Sequence, residues 1–255
     1  MPDVQIDGAT LAYTIDGPPD RPALLCSNAL GTAMPFWKRQ VPAFTPHYRV
    51  IRYDQRGHGR SGAPAGEYTL AQLGRDAVAI LDAAGVDRAD VCGLSLGGLT
   101  AMWLAVHMRT RIRRIAIANT AARIGTIAHW QERIDLIKAQ GLAPVADAGP
   151  TRWFTDPYRT AHPDAVRACQ GMVLEASPAG YCGCVAAIRD ADLRSIISQI
   201  TAPTLVIVGQ HDPVTTPADA ALVGKAIPGA RVLELPAAHF SNIEQADAFN
   251  RSVLD

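Results

Sequence analysis

A serine, an aspartate and a histidine stand in this sequence where they could form an acyl-transfer centre. Ser95 lies in the G-x-S-x-G stretch Gly93-Leu94-Ser95-Leu96-Gly97, directly after a short apolar run. A serine hydroxyl is a weak nucleophile at neutral pH, so it needs a neighbouring base, usually a histidine that a carboxylate orients. Asp212 and His239 each follow a later predicted strand, in the chain order serine, acid, histidine. The three residues therefore predict a Ser-His-Asp centre.

Each of these residues also has a simpler interpretation when it is taken alone. A G-x-S-x-G pattern occurs by chance, Asp212 could begin a turn before Pro213, and His239 could be a hydrogen-bonded loop residue. The order of the three and their shared position after strands favour the catalytic interpretation, because functional groups gather at the carboxyl ends of strands in α/β sheets.

An acyl-transfer centre also needs two N–H donors for the oxyanion of its tetrahedral intermediate. The Leu96 N–H, at the start of the helix after the serine, is one candidate, and the Ala29 N–H in the loop after an earlier strand is the other. Asn28, beside Ala29, is a candidate substrate contact; alternatively, it braces the turn.

The pattern around these residues predicts an α/β fold with a mostly parallel central sheet flanked by helices. Strands are predicted over residues 4–6, 10–15, 23–26, 48–53 and 115–118, and a further strand is predicted to end at Val91 and Cys92. Helices are predicted over 37–44, 70–81 and 96–108. Asp7-Gly8 favours a type I′ hairpin between the first two strands. Alternating strands and helices imply right-handed crossovers in a parallel sheet.

The alternation stops between about Thr120 and Ser195, where only helical periodicity is present. The strand signal returns at residues 203–209 and 231–235, and the last helix begins near Ala246. The predicted division is a core over 1–119, an inserted helical cap over 120–195, and the rest of the core over 196–255.

The composition excludes several classes of function. Lys plus Arg number 24 and Asp plus Glu number 24, so the charge balance favours neither nucleic acid nor a membrane surface as a partner. No apolar run is long enough to span a bilayer, and the segment Met1–Gln5 lacks the features of a secretory signal. Five cysteines without a C-x-x-C pair argue against a disulfide framework or a metal site. The expected location is the cytoplasm.

Taken together, these motifs resemble the α/β-hydrolase superfamily over essentially the full chain. The resemblance rests on Asp54-Gln55-Arg56-Gly57-His58-Gly59-Arg60-Ser61, the turn at Ser95, the Gly209–Asp212 string and His239. It implies that the Arg56-Gly57-His58 turn is structural and that His58 is not a base.

Within that superfamily the chain is most similar to the 3-oxoadipate enol-lactonases. The similarity rests on residues 27–32 (SNALGT), 189–193 (RDADL) and 238–245 (AHFSNIEQ), although Ala246 stands where a proline is common. It implies that Ser95, deprotonated by His239, opens a small anionic lactone and that water then releases the acyl group. No metal or organic cofactor is called for.

A substrate with a free carboxylate is bound best by two parallel N–H donors, which arginine provides and lysine does not. Arg133 is the first candidate and Arg189 the second, although each could equally be solvated or structurally paired. Trp130 is a candidate wall of the pocket, as are Trp153 and Phe154, and a packing role is equally open for each. Cys182 and Cys184 provide too few sulfur ligands for a zinc site.

Other functions remain open from the sequence. A carboxylesterase or a cofactor-free perhydrolase would keep the same three residues. A carbon–carbon bond hydrolase is disfavoured because Ser27-Asn28 replaces the glycine-rich loop of those enzymes. A ligand receptor built on a hydrolase fold would bind without turnover. The sequence does not determine the oligomeric state.

Overall fold

The computed structural model describes residues 2–255 and contains one sheet of eight strands. Met1, which belongs to the segment used above to argue against a secretory signal, lies outside the described residues. The strands are β1 (Asp3–Ile6), β2 (Ala9–Asp16), β3 (Ala23–Ser27), β4 (Arg49–Tyr53), β5 (Ala89–Leu94), β6 (Ile112–Ala118), β7 (Thr204–Gly209) and β8 (Arg231–Leu235).

The strands are arranged in the order β1-β2-β4-β3-β5-β6-β7-β8. β1 and β2 pair antiparallel, as do β2 and β4, and every other neighbouring pair is parallel. Asp7 and Gly8 have φ angles of 44° and 73° between Ile6 and Ala9, which confirms the predicted type I′ hairpin. The mostly parallel sheet is confirmed, and its carboxyl edge collects the loops that follow β3 and β5 to β8.

Twelve α-helices accompany the strands within residues 2–255. They are α1 (Val41–Phe44), α2 (Leu70–Ala83), α3 (Leu96–His107), α4 (Ile127–Gln140), α5 (Ala143–Ala148), α6 (Pro150–Trp153), α7 (Asp156–Ala161), α8 (Pro163–Glu175), α9 (Pro178–Asp190), α10 (Pro217–Ala226), α11 (Ser241–Glu244) and α12 (Ala246–Leu254). α4 to α9 follow one another with no strand between Ala118 and Thr204, all of which the structure describes.

The single helix predicted over residues 37–44 is wrong. A 3₁₀ turn over Met34–Trp37 is followed by the separate helix α1. Pro35 and Pro42 lie in the first turn of these two pieces, where the missing N–H costs no hydrogen bond. A proline in the interior of one continuous helix would remove such a bond, so the chain forms two short turns instead.

The core consists of side chains buried on both faces of the sheet. Every residue of β3 and β5 is buried, which explains the continuous apolar run Ala23–Cys26 of β3. The one charged residue of β5, Asp90, pairs with Arg113 and Arg114. α2 covers one face with Leu73, Ala77 and Ile80, and its start is fixed by a capping box between Thr69 and Gln72.

Among residues 2–255, no single helix has the length and apolar character needed to cross a membrane, and α8 with α9 meets that test only as a pair bent by 98°.

Candidate active site

The turn between β5 and α3 holds Ser95 in a strained backbone conformation. Its φ is 57° and its ψ is −113°, a region that non-glycine residues rarely occupy. A Cβ on Gly93 would lie 2.1 Å from the Gly97 carbonyl oxygen, and a Cβ on Gly97 would lie 2.0 Å from the Ser27 carbonyl oxygen. The two glycines of the G-x-S-x-G pattern are therefore required by close backbone packing.

Asp212 and His239 meet where the loops after β7 and β8 come together. His239 Nδ1 lies 2.8 Å from Asp212 Oδ2, and both side chains are buried. Gly209 lets the loops approach, because a Cβ there would lie 2.3 Å from the Ala238 carbonyl oxygen. An aspartate acceptor on Nδ1 assigns the proton to that nitrogen and leaves Nε2 as the free acceptor of the ring.

Asp212 is held as an anion. Its burial alone would raise its pKa, but the charge and hydrogen bond of His239, with bonds from Asn119 and the Thr215 N–H, lower that pKa to about 2. Its Oδ1 also accepts from the Val214 N–H at 2.8 Å. The carboxylate is therefore fully charged at neutral pH and can stabilise a protonated imidazole.

Ser95 and His239 line one cavity of about 270 Å³. Among the described residues no hydrogen bond joins Ser95 Oγ to His239 Nε2. Such bonds are often long in unliganded hydrolytic sites and tighten when substrate binds. The structure thus brings the predicted serine and histidine to the same cavity, and the acid to the histidine.

The two predicted oxyanion donors belong to the loop after β3 and to the first turn of α3. Ala29 lines the cavity, and its N–H has no acceptor among the described residues. Leu96 is the first residue of α3, so its N–H has no partner within the helix. Gly31 N–H donates to His58 Nε2 at 2.9 Å, and Thr32 N–H donates to the Ala29 carbonyl, which fixes the loop that presents the Ala29 N–H.

Two arginines from the inserted helices, Arg133 of α4 and Arg152 of α6, also line the cavity. Within residues 2–255 neither guanidinium has a carboxylate partner within 4.0 Å. Burial lowers the pKa of Arg152, and the charge of Arg133 lowers it further. Two positive charges that share one cavity wall without an acid partner can attract an anion.

Aromatic side chains form the rest of the wall. The guanidinium of Arg133 lies 5.7 Å above the ring of Trp130, which lines the cavity. Trp153 also lines it and stacks on Phe240, with ring centroids 5.1 Å apart. Phe154 is buried outside this cavity.

Arg189 does not lie where the sequence analysis expected it. Its guanidinium pairs with Glu67 and Asp190 and donates to Gln131, and it is absent from the cavity wall. Two carboxylates therefore already compensate its charge, and its guanidinium N–H donors are not available to a substrate.

Asn28 does not contact the cavity either. Its Nδ2 donates to the Tyr53 carbonyl at 2.7 Å, and its Oδ1 accepts from Trp37 Nε1 at 2.7 Å. The side chain is fully buried. It therefore braces the turn before Ala29, the alternative stated above.

Sequence reasoning missed Arg152 and His129, both of which line the cavity. The one signal for Arg152 was its position next to Trp153, a candidate wall residue. His129 lies one residue before Trp130 on α4.

The inserted helices are bonded directly to the histidine loop. The Phe240 N–H donates to the Trp153 carbonyl at 2.9 Å. The Glu244 carboxylate accepts from the N–H of Thr155 and from that of Ala238, the residue before His239. This contact, called the strap below, comprises residues 152–155 and 238–244.

Comparisons with known proteins agree with this architecture. The family described as alpha/beta hydrolase fold matches residues 22–246. The chain is 43% identical over 243 residues to 3-oxoadipate enol-lactonase 2 of Acinetobacter baylyi, covering 95% of this chain and 91% of that protein. It is 38% identical to 3-oxoadipate enol-lactonase 1 of the same organism, with the same coverage. The crystal structure of the enol-lactonase from Burkholderia xenovorans LB400 superposes with a TM-score of 0.98 at 43% identity, covering 100% of this chain and 98% of that one.

Proposed function

The chain belongs to the α/β-hydrolase family, and we propose that it hydrolyses 3-oxoadipate enol-lactone to 3-oxoadipate by an acyl-enzyme mechanism. The observation that carries the proposal is one cavity lined by Ser95 and His239 and also by Arg133 and Arg152, which have no carboxylate partner among residues 2–255. The names of the relatives, enol-lactonases at 43% and 38% identity, support the substrate. Such an enzyme is a hydrolase acting on an ester bond.

In the proposed mechanism Ser95 Oγ attacks the lactone carbonyl while His239 Nε2 takes its proton. Asp212 holds the Nδ1–H tautomer and stabilises the imidazolium that forms. The Ala29 and Leu96 N–H groups bind the oxyanion. The tetrahedral intermediate then expels the ring oxygen as an enolate, which is a better leaving group than an alkoxide because its charge is delocalised. The His239 imidazolium gives its proton to this oxygen, so an enol forms and His239 becomes neutral again.

The enol remains part of the acyl group on Ser95, and its ketonisation makes acylation hard to reverse. His239 next removes a proton from water, which attacks the acyl-enzyme, and the imidazolium returns the proton to Ser95 Oγ. The product of this step carries a second carboxylate.

The arginines would select the anionic substrate. The lactone carries one free carboxylate, and Arg133 and Arg152 offer charged donors to it on the side of the cavity formed by the inserted helices. A neutral ester would leave both cations desolvated without an anion, so a general carboxylesterase gains nothing from them.

We also propose that residues 120–195 act as a cap, which contributes Trp130, Arg133 and Arg152 to the cavity. A cytoplasmic location is part of the proposal and agrees with five cysteines that are all free thiols.

The direct test supplies purified protein with 3-oxoadipate enol-lactone and follows the loss of the conjugated enol ester. We expect Ser95→Ala to lower kcat by roughly 10⁴-fold or more. Ser252→Ala, in α12, is the matched control and should retain activity, since its hydroxyl only bonds the Ala248 carbonyl.

Three results would contradict the proposal. Hydrolysis of p-nitrophenyl acetate without turnover of the lactone would indicate a carboxylesterase. Peracid formation from hydrogen peroxide as the main activity would indicate a perhydrolase. Tight binding of the lactone without turnover would indicate a receptor.

A further inference from the structure

Asn119 has an unusual backbone conformation for a buried residue. It follows β6 directly, has a φ of 46° and is completely buried. Asparagine tolerates this left-handed region better than most residues with a side chain. Its N–H donates to the Ile207 carbonyl of β7 at 2.8 Å, so its position relative to the strand before Asp212 is fixed.

The side-chain amide of Asn119 connects the loops of the acid and the base. Nδ2 donates to Asp212 Oδ2 at 2.9 Å and to the Ala238 carbonyl at 3.1 Å. Oδ1 accepts from the Ser241 hydroxyl, which fixes the orientation of the amide. Ala238 and Ser241 stand on either side of His239. A single amide therefore holds Asp212 and both flanks of His239.

The amide shares an acceptor with the imidazole. Asp212 Oδ2 accepts three hydrogen bonds, from Asn119 Nδ2 at 2.9 Å, from His239 Nδ1 at 2.8 Å and from the Thr215 hydroxyl at 2.8 Å. Only a side chain with donors on one end and an acceptor on the other satisfies the groups around Asn119. An aspartate of the same shape would place a second carboxylate against Asp212.

We infer that Asn119 is a positioning residue for the proposed acyl transfer. Its amide keeps the carboxylate oxygen of Asp212 aligned with His239 Nδ1 and holds the histidine loop at the required distance. The inference rests on the proposed function, because it assigns Asn119 a role through Asp212 and His239. The neighbouring Thr120 serves the nucleophile instead, since its hydroxyl donates to the Ser95 carbonyl at 2.9 Å.

The test compares Asn119→Asp with Thr120→Val. In Asn119→Asp the added negative charge favours the imidazolium. The acid limb of the pH profile of kcat/KM should therefore move up by about one unit. We expect kcat to fall roughly 10- to 100-fold because a buried donor to Asp212 is lost. KM should change by less than about twofold, since no substrate contact is altered.

Thr120→Val is the matched control. It removes one buried hydrogen bond next to the same site, the one that the Thr120 hydroxyl donates to the Ser95 carbonyl. We expect kcat to fall while the acid limb stays in place. The titratable groups that line the cavity with His239, namely Arg133, Arg152 and His129, are unchanged in both variants. The Glu244 carboxylate, which accepts from the Ala238 N–H, is also unchanged.

Ser241→Ala keeps the inference testable if Asn119→Asp does not fold. It removes the hydroxyl that orients the amide and leaves Asn119 itself in place. We expect a smaller loss of kcat, about three- to tenfold, again with KM unchanged. Ser241→Ala with wild-type kcat would overturn the inference.

Labelling of Ser95 by a fluorophosphonate separates this inference from the proposed function. Its rate depends on the serine, the histidine and the aspartate but not on the natural substrate. If wild type does not turn over the lactone, the pH dependence of labelling still reports the acid limb. An Asn119→Asp protein that folds, melts earlier and keeps the wild-type acid limb would show a merely structural role and overturn the inference.

Discussion

Replacing either cavity arginine should reduce activity toward an anionic substrate without reducing the stability of the fold. Arg133 and Arg152 lie in the same cavity wall with no acid partner among residues 2–255. A charged hydrogen bond contributes about 1.5–3 kcal/mol. For Arg133→Gln and Arg152→Gln we therefore expect kcat/KM for the enol-lactone to fall roughly 10- to 150-fold each, mainly through KM.

The expected effect on stability has the opposite sign to that of most buried substitutions. Burial and the charge of Arg133 both lower the pKa of Arg152, which means that its surroundings disfavour its charged form. Loss of one of the two cations relieves this repulsion. The free energy of unfolding from urea titration should therefore stay unchanged or rise in each variant.

The assay measures hydrolysis of the lactone and of p-nitrophenyl acetate by the same preparations. The neutral ester has no carboxylate, so its kcat/KM should change by less than about threefold. Arg167→Gln is the matched control, because Arg167 lies in α8 with an exposed side chain paired to Asp164. Equal losses toward both substrates, or an unaltered KM for the lactone, would refute the assignment of the arginines to the carboxylate.

Three further substitutions test the packing of the site. Gly97→Ala should destabilise the fold by about 1–3 kcal/mol or more, because its Cβ would lie 2.0 Å from a carbonyl oxygen of β3. Gly171→Ala in α8, where no atom lies within 4 Å of the added Cβ, should leave the melting temperature unchanged. Asp76→Ala should cost about 3–5 kcal/mol in urea unfolding, because it leaves the buried Arg56 unpaired; a cost under 1 kcal/mol would contradict this. Burial lowers the pKa of His58 from 6.5 to about 4, so the unfolded chain binds a proton first as the pH falls. Between pH 7 and 4 the free energy of unfolding should therefore fall by about 3 kcal/mol more in wild type than in His58→Gln. Parallel curves of this free energy against pH would exclude the effect.

The parts of the fold that local sequence determines could be predicted. Asp7-Gly8 both adopt positive φ, and that requirement is visible in the residue types themselves. The continuous apolar run Ala23–Cys26 of β3 reflects burial on both faces, so its place inside the sheet could be read directly from the sequence. The meeting of Asp212 with His239 followed from the rule that loops gather at the carboxyl edge of a parallel sheet.

The substrate-binding side chains could not be predicted in the same way. Arg189 and Arg152 are the same residue type in the same set of helices. Glu67, from a distant loop, compensates the former, and no acid within residues 2–255 compensates the latter. Likewise Asn28 is satisfied by Trp37 and Tyr53. Which polar group has a partner depends on contacts between segments far apart in the chain, and these leave no local pattern.

The strap limits how the specificity of this protein can change. Because Trp153 and Thr155 share hydrogen bonds with the loop of His239, the segment that carries Arg152 cannot be replaced without also moving the proposed base. A transplanted cap would therefore have to reproduce residues 152–155 in place. α4 has no such bond to the histidine loop, so substitutions around Arg133 provide the less costly route to a new substrate. The proposed cap therefore has two parts: residues 152–155, which are bonded to the histidine loop, and α4, which can change without moving that loop.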